Sequence, residues 1–431
     1  MIPTDTFITI PDKPQNNQTV TGRQLNVMVD MKDSPRHDLP STSVQVRNNF
    51  IVGELLGSGS FGNVYAVELK ADRSKRYAMK ELTRNSLPKF IATELRILKN
   101  YGGKCNVMGM HAAFRDQERV FIVMDYFPHD QIVDLFPTLS NEEILGYMKN
   151  MLIALSYLHS KRIIHRDIKP SNFLYNRKEK RSTFGTSNLN ASNSAKGSSL
   201  YFNMDDSLRD STGDENSRAV KRKFDVLNSN SSCGKTEAPC NCLYNPTVCS
   251  KCTKLAQNHA NKAGTPGFRA PEVLLRCLHQ TCAIDIWSAG VTFLSICARK
   301  HPIMRVDDDC EALGQIATLF GEDGLKSLAQ KCNHSLILNP PCSPDGVDLV
   351  MFAKYHLKGL EDMPPPVKPC TACKNRIHDN PLGYCICFSR HEDSLRELPP
   401  DERVMFEVIR HALRISPDER YHANMLLSLF Q

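Results

Sequence analysis

The sequence predicts an α+β chain of two lobes, a small β-rich N-terminal lobe and a larger helical C-terminal lobe, with two long inserts. From Phe50 the apolar residues alternate over short runs such as Asn63–Leu69 and Val120–Met124, the period-two pattern of strands. Helical periodicity appears later, over Ile91–Leu98 and Glu142–His159, and resumes at Asp401–Leu413 and Asp418–Phe430. The inserts therefore sit inside a fold that continues past them.

Residues 1–46 are polar, carry Pro3, Pro11, Pro14, Pro35 and Pro40, and are read as a disordered tail. Their start, MIPTDTFITIPDK, has neither a basic beginning nor an apolar centre and predicts no signal peptide. The weakly polar run Ile286–Ala298 is too short for a membrane span, which needs ~18 apolar residues. A net charge of +7, from 54 Lys and Arg against 47 Asp and Glu, is spread too thinly to mark a nucleic-acid binder. Apolar residues at 41% and charged residues at 23% exclude wholesale disorder. The 16 cysteines, without a secretion signal, are read as reduced thiols or metal ligands. The expectation is a soluble intracellular protein with no membrane contact.

The N-lobe, with its connection to the second lobe, is placed at 47–127 and the C-lobe at 128–431. Gly57-Ser58-Gly59-Ser60-Phe61-Gly62-Asn63-Val64 follows one strand and precedes another. Glycines let such a hairpin lie close over a polyphosphate, and the second strand argues against a dinucleotide loop, which a helix would follow. Lys80 ends the apolar strand Tyr77-Ala78-Met79-Lys80, and Glu94 on the next helix is its candidate partner for orienting phosphates. His165-Arg-Asp-Ile-Lys-Pro-Ser-Asn172 then sets Asp167 to accept a hydroxyl proton, Lys169 to neutralise phosphoryl charge, and Asn172 to hold a metal ion. Gly264-Thr-Pro-Gly-Phe-Arg-Ala-Pro-Glu272 supplies the close of an activation segment. Asp285 is expected to anchor the backbone of the Asp167 loop, and Arg420 to pair with Glu272.

In this order and at these distances the motifs resemble a eukaryotic protein kinase across residues 48–185 and 263–431. HRDIKPSNFLYN, NVMGMHAAFR and GTPGFRAPEVLL are most similar to the cell-division-cycle kinases that fire DNA replication origins. The resemblance implies a bilobal protein-kinase fold that uses ATP and Mg2+ and is activated by a regulatory subunit. It implies protein substrates with Ser or Thr in acidic tails, such as replicative helicase subunits, a nuclear location, and no direct nucleic-acid binding. By the same token Met124-Asp-Tyr-Phe127 is the hinge with Met124 as gatekeeper, and the nucleotide meets Gly57, Ser58, Gly59, Gly62, Val64, Ala78, Lys80, Glu94, Met124 and Tyr126.

One motif departs. The Asp-Phe-Gly expected after the Asp167 loop reads Ser182-Thr183-Phe184-Gly185, so Thr183 stands where the metal-binding acid belongs, and charged residues replace the apolar strand before it. About three residues are missing against the family spacing, and a hydroxyl is a poor main ligand for a hard dication. Three readings follow: strand and acid lost at an exon junction or in gene prediction, a pseudokinase or partner-binding scaffold, or a rearranged metal site.

The first insert is placed at 182–262, where 19 of the 51 residues from Ser182 to Ser232 are Ser or Asn, too few apolar groups to offset ordering entropy. Cys240-x-Cys242 and Cys249-x2-Cys252 close it with four thiolates suited to tetrahedral zinc, the alternative being four scattered thiols. The second insert, 324–399, is Pro- and Cys-rich and carries Cys370, Cys373, Cys385 and Cys387 in mirror-image spacing, with zinc or free thiols equally open. Cys105, Cys277, Cys282, Cys297 and Cys310 are read as core or surface thiols. Lys221-Arg-Lys223 is either solvated surface or part of a nuclear import signal.

Overall fold

The computed structural model describes residues 43–59, 62–82, 88–185, 264–339, 341–358 and 391–431. The N-lobe is a five-stranded antiparallel sheet of β1 (Phe50–Gly59), β2 (Gly62–Leu69), β3 (Asp72–Leu82), β4 (Met110–Asp116) and β5 (Arg119–Asp125), in the order β1-β2-β3-β5-β4. Alternation sorts its side chains by face. Phe121, Val123, Met79, Tyr65 and Val67 pack one face with Phe50 and Phe114, while Ile122, Met124, Ala78 and Val120 pack the other. β5, flanked by β3 and β4, is buried along Arg119–Met124, and the Arg119 charge is offset by Glu81 at 2.6 Å.

A short helix α1 (Val44–Asn49) leads into β1. Ser43 caps it by accepting from the Val46 amide and donates its own hydroxyl to Asp116, and fully buried Val46 closes the outer cluster. The expected tail thus gives way to structure at Ser43 rather than at 47. Helix α2 (Pro88–Tyr101) lies against the inner face and carries Glu94.

The C-lobe opens with α3 (Ile132–Leu135) and α4 (Asn141–Ser160). In α4, Ser140 and Glu143 form a reciprocal capping box, a device worth about 1 kcal/mol. Further on come α5 (Pro271–Leu274), α6 (Ala283–Cys297), α7 (Asp309–Phe320), α8 (Glu322–Lys331), α9 (Leu349–Lys358), α10 (His391–Arg396), α11 (Pro400–Ala412) and α12 (Ala423–Leu427). Helix α6 is buried on nearly every side and sits at the centre of the lobe, where Trp287 is fully buried.

Three expectations are corrected. The strand before Gly185 exists: β6 (Phe173–Asn176) pairs antiparallel with β7 (Arg181–Phe184). Its polar sequence misled because Ser182 and Phe184 alone turn inward, while the Arg177 guanidinium pins the turn to both Glu143 oxygens at 2.7 and 3.0 Å. The first insert therefore starts after Gly185. Within the second, α8, α9 and α10 fold onto the lobe; buried Asp348 accepts from the Val350 amide at 2.9 Å and from the Ser394 hydroxyl. Finally, Cys277 is not a free thiol but forms a disulfide with Cys332, whose Cα lies 5.3 Å away. Cys105, Cys282, Cys297 and Cys310 stay outside that disulfide and remain thiols.

Candidate active site

The inner face of the sheet and the β6–β7 hairpin enclose the nucleotide side of the cleft. Val64, Ala78 and Met124 from the sheet share one apolar cluster with Leu174 from β6, the make-up of a pocket for a flat heterocycle. Tyr126 lies just beyond, with the Arg76 guanidinium 4.7 Å from its ring centre. Gly57, Ser58 and Gly59 end β1 and Gly62 begins β2, with Gly59 paired to Gly62; Ser58 donates to Asn63 Oδ1 at 2.7 Å. Gly62 has φ +136°, and a Cβ there would lie 1.8 Å from the Glu81 carbonyl oxygen, so no other residue fits that turn. Ser60 and Phe61 lie outside the described residues.

Lys80 and Glu94 meet at 2.7 Å and are both buried. A lone pair of this kind in sequence suggests surface residues. Here β3 and α2 bring them together under the loop, so the ammonium is held at a fixed point in the cleft.

The Asp167 loop is fixed from below. Buried Asp285 accepts from the amides of His165 and Arg166, each at 2.7 Å, and from His159 Nε2 at 3.0 Å. Burial pushes its carboxyl up, but the His159 hydrogen bond and charge and the His165 amide outweigh this, so the net shift is downward. Burial pushes His165 below its ordinary value, and the neutral ring lies 4.8 Å from Phe184. Arg166 takes a left-handed φ of 70° and donates to Gln280 at 3.1 Å.

Asp167 is the meeting point. Its Oδ1 accepts from the Thr265 amide at 3.0 Å and hydroxyl at 2.5 Å; its Oδ2 accepts from Asn172 at 3.0 Å and faces Lys169 Nζ at 3.2 Å. Lys169 also donates to Thr265 Oγ1 at 2.8 Å. Asp167, Lys169 and Asn172 are thus assembled as the sequence suggested. Thr265 was missed, although it stands in the Gly264–Glu272 motif that closes the segment. Beside this cluster lies a pocket lined by Arg166, Gly264, Thr265, Phe268 and Arg269. Arg269 also was missed, because nothing in the motif tells which way its charge points.

Thr183, which stands in sequence where the metal-binding acid is expected, lies in β7. It pairs with Leu174 inside the hairpin, two steps from the Asn172–Gly185 end of the ladder. The eight cysteines Cys240, Cys242, Cys249, Cys252, Cys370, Cys373, Cys385 and Cys387 lie outside the described residues.

A five-stranded lobe with a buried Lys–Glu pair, joined to a helical lobe that presents an aspartate beside a lysine and an asparagine, defines a protein kinase. Residues 50–203 match the family model for the protein kinase domain. The chain is 31% identical over 383 residues to the human "Cell division cycle 7-related protein kinase", covering 64% of this chain and 66% of that one. It is 35% identical over 277 residues to "Probable cell division control protein 7 homolog 2" of Encephalitozoon cuniculi, covering 64% of this chain and 72% of that one. A solved structure, the CAK complex of Chaetomium thermophilum bound to ATP-gamma-S, matches with a TM-score of 0.55 at 16% identity, over 89% of this chain and 91% of that one. That likeness concerns the fold. The chain belongs to the cell division cycle 7 protein kinases and is a serine/threonine kinase of that type, a family that works with ATP and Mg2+.

Proposed function

We propose that this kinase phosphorylates Ser or Thr in acidic protein tails, such as those of replicative helicase subunits, at the start of DNA replication. It does so in the nucleus under a regulatory subunit. The observation that carries the substrate class is that two arginines, Arg166 and Arg269, are among the residues lining the small pocket next to Asp167. Arg269 is held by the Gly264 carbonyl at 3.0 Å and by Asp309 at 3.4 Å, which fixes its guanidinium in the segment that closes at Glu272. Asp167 would orient the acceptor hydroxyl and take its proton, Lys169 would neutralise the phosphoryl oxygens, and Lys80 would hold the nucleotide. Gln280 already occupies the Arg166 side chain from within the chain, which supports control by a bound subunit over control by a phosphate on this arginine.

Peptide affinity, read by fluorescence anisotropy, tests the substrate class without relying on turnover. Arg269→Gln should weaken an acidic Ser peptide by about tenfold, the worth of one charge-assisted hydrogen bond. A peptide with its acids changed to alanine should hardly respond. Equal affinities for the two peptides in the unaltered chain would sink the acidic-tail assignment.

We also propose zinc at Cys240, Cys242, Cys249 and Cys252, supported by their paired spacing, and the same metal at Cys370, Cys373, Cys385 and Cys387 on the weaker ground of the mirrored spacing. Metal analysis of purified protein should find at least one tightly held equivalent, lost on joint Cys240→Ser and Cys242→Ser substitution. Less than roughly a tenth of an equivalent in the unaltered protein would reject the first site.

A further inference from the structure

We propose that Glu54 and Arg76 are positioning residues at the mouth of the base pocket, where they hold the Tyr126 ring and the root of the glycine hairpin around the base of the nucleotide. The inference rests on reading this chain as a nucleotide binder and gives two side chains outside the pocket a part in that binding. Strand register carries it. Ala78 of β3 and Met124 of β5 are cross-strand partners in the inner cluster, whereas Tyr77, opposite Asp125, packs against the outer one. One step further, alternation brings Arg76 and Tyr126 opposite each other on the inner face again. The Arg76 guanidinium lies over the Tyr126 ring, 4.7 Å from its centre.

The third member comes from β1. Leu56 packs against the inner cluster and Val52 against the outer one. The pairing of β1 with β2 shifts register twice here, between Val52 and Leu55 and between Leu55 and Gly57. The ladder alone therefore holds the root of the hairpin weakly, because a bulge interrupts the paired hydrogen bonds. Glu54 stands in the first irregularity and reaches across β2, and both its oxygens accept from Arg76 Nη2, at 2.7 and 2.9 Å. Each outer residue is thus two positions from a residue of the inner cluster: Glu54 from Leu56, Arg76 from Ala78, and Tyr126 from Met124. The trio rims the apolar pocket.

Exposure argues that this rim serves binding rather than folding. The Arg76 and Glu54 side chains are 43% and 56% exposed, and a surface ion pair of that kind adds little to stability. Holding Tyr126 and β1 in place before the nucleotide arrives spares their ordering cost on binding. The rim also lies at the base end of the cleft. Lys80, placed for the phosphates, is four residues along the same strand, about 13 Å from Arg76. Arg76 therefore acts through Tyr126 and β1 and not on the phosphates.

Displacement of a fluorescent ATP analogue from the full chain, by adenosine and by ATP, tests this. Arg76→Leu and Tyr126→Leu should each weaken both ligands by about fivefold, and Glu54→Leu by about twofold. In the Tyr126→Leu background, Arg76→Leu should cost no more than about twofold, the share carried by Glu54. Tyr126→Phe keeps the ring under the guanidinium and should bind within a factor of about two of the unaltered chain. Urea midpoints should stay where they are in every variant. A loss confined to ATP, or adenosine that does not compete at all, would assign Arg76 to the phosphates and overturn the proposal. Losses that add in the double variant, losses that follow a falling urea midpoint, or full affinity in Arg76→Leu would overturn it too. A chain that binds neither the analogue nor ATP would instead overturn the nucleotide-binding reading beneath it, and this inference with it.

Discussion

Asp167→Asn is expected to lower phosphoryl transfer to an acidic Ser peptide by roughly a thousandfold. ATP affinity should stay the same. The substitution keeps the shape of the side chain and its Oδ1 bonds from Thr265, but it puts an amide NH2 where Oδ2 now faces two donors, Asn172 Nδ2 and Lys169 Nζ. The charge that aims Lys169 is lost together with the atom that accepts the substrate proton. The base pocket and Lys80 lie on the other side of the nucleotide and do not feel the change. The readouts are a phosphate-transfer assay and calorimetry on the same samples. Transfer that survives within a factor of about ten would show that Asp167 is not the proton acceptor. A parallel loss of ATP affinity would show that the loop had collapsed rather than lost its chemistry.

The motifs that survive in sequence are those whose chemistry is local. Lys80, Asp167 and Asn172 were legible because spacing along one strand or loop fixes what they reach. Partners supplied from afar were not all legible in the same way: Glu272–Arg420 was, from its residue types at characteristic places, while Thr265 on Asp167 and Gln280 on Arg166 were not. Strand β7 was missed for a physical reason. A four-residue hairpin strand needs only two inward side chains, and Ser182 beside Phe184 does not register as an apolar run. The hairpin register is set by the ladder from Asn176 with Arg181 to Asn172 with Gly185. Likewise the Cys277–Cys332 disulfide joins residues 55 apart, and no spacing rule foretells such a pair.

Arg420→Met should destabilise the C-lobe by about 3–5 kcal/mol, the largest loss expected from any single substitution away from the catalytic loop. Its guanidinium is buried and fully used. It donates to both Glu272 oxygens at 2.7 and 3.1 Å and to the carbonyls of Ala283 (2.7 Å), Arg414 (2.9 Å) and Ile415 (3.1 Å). Methionine fills part of the volume but leaves the Glu272 carboxylate without its counter-charge and three carbonyls without donors. Glu272→Gln should cost less, since the amide oxygen still accepts and the three carbonyl bonds stay. The pair joins α5, at the end of the activation segment, to α6 and the turn after α11, so its loss loosens the segment from the lobe that carries it. Trp287, the only tryptophan in the chain, lies 5.2 Å below the guanidinium, and its fluorescence in a urea titration reads this very region. The loss should be nearly independent of added salt, because a buried pair is poorly screened. A shift of less than about 1 kcal/mol, or one that salt removes, would mean that water reaches Glu272 and replaces the arginine.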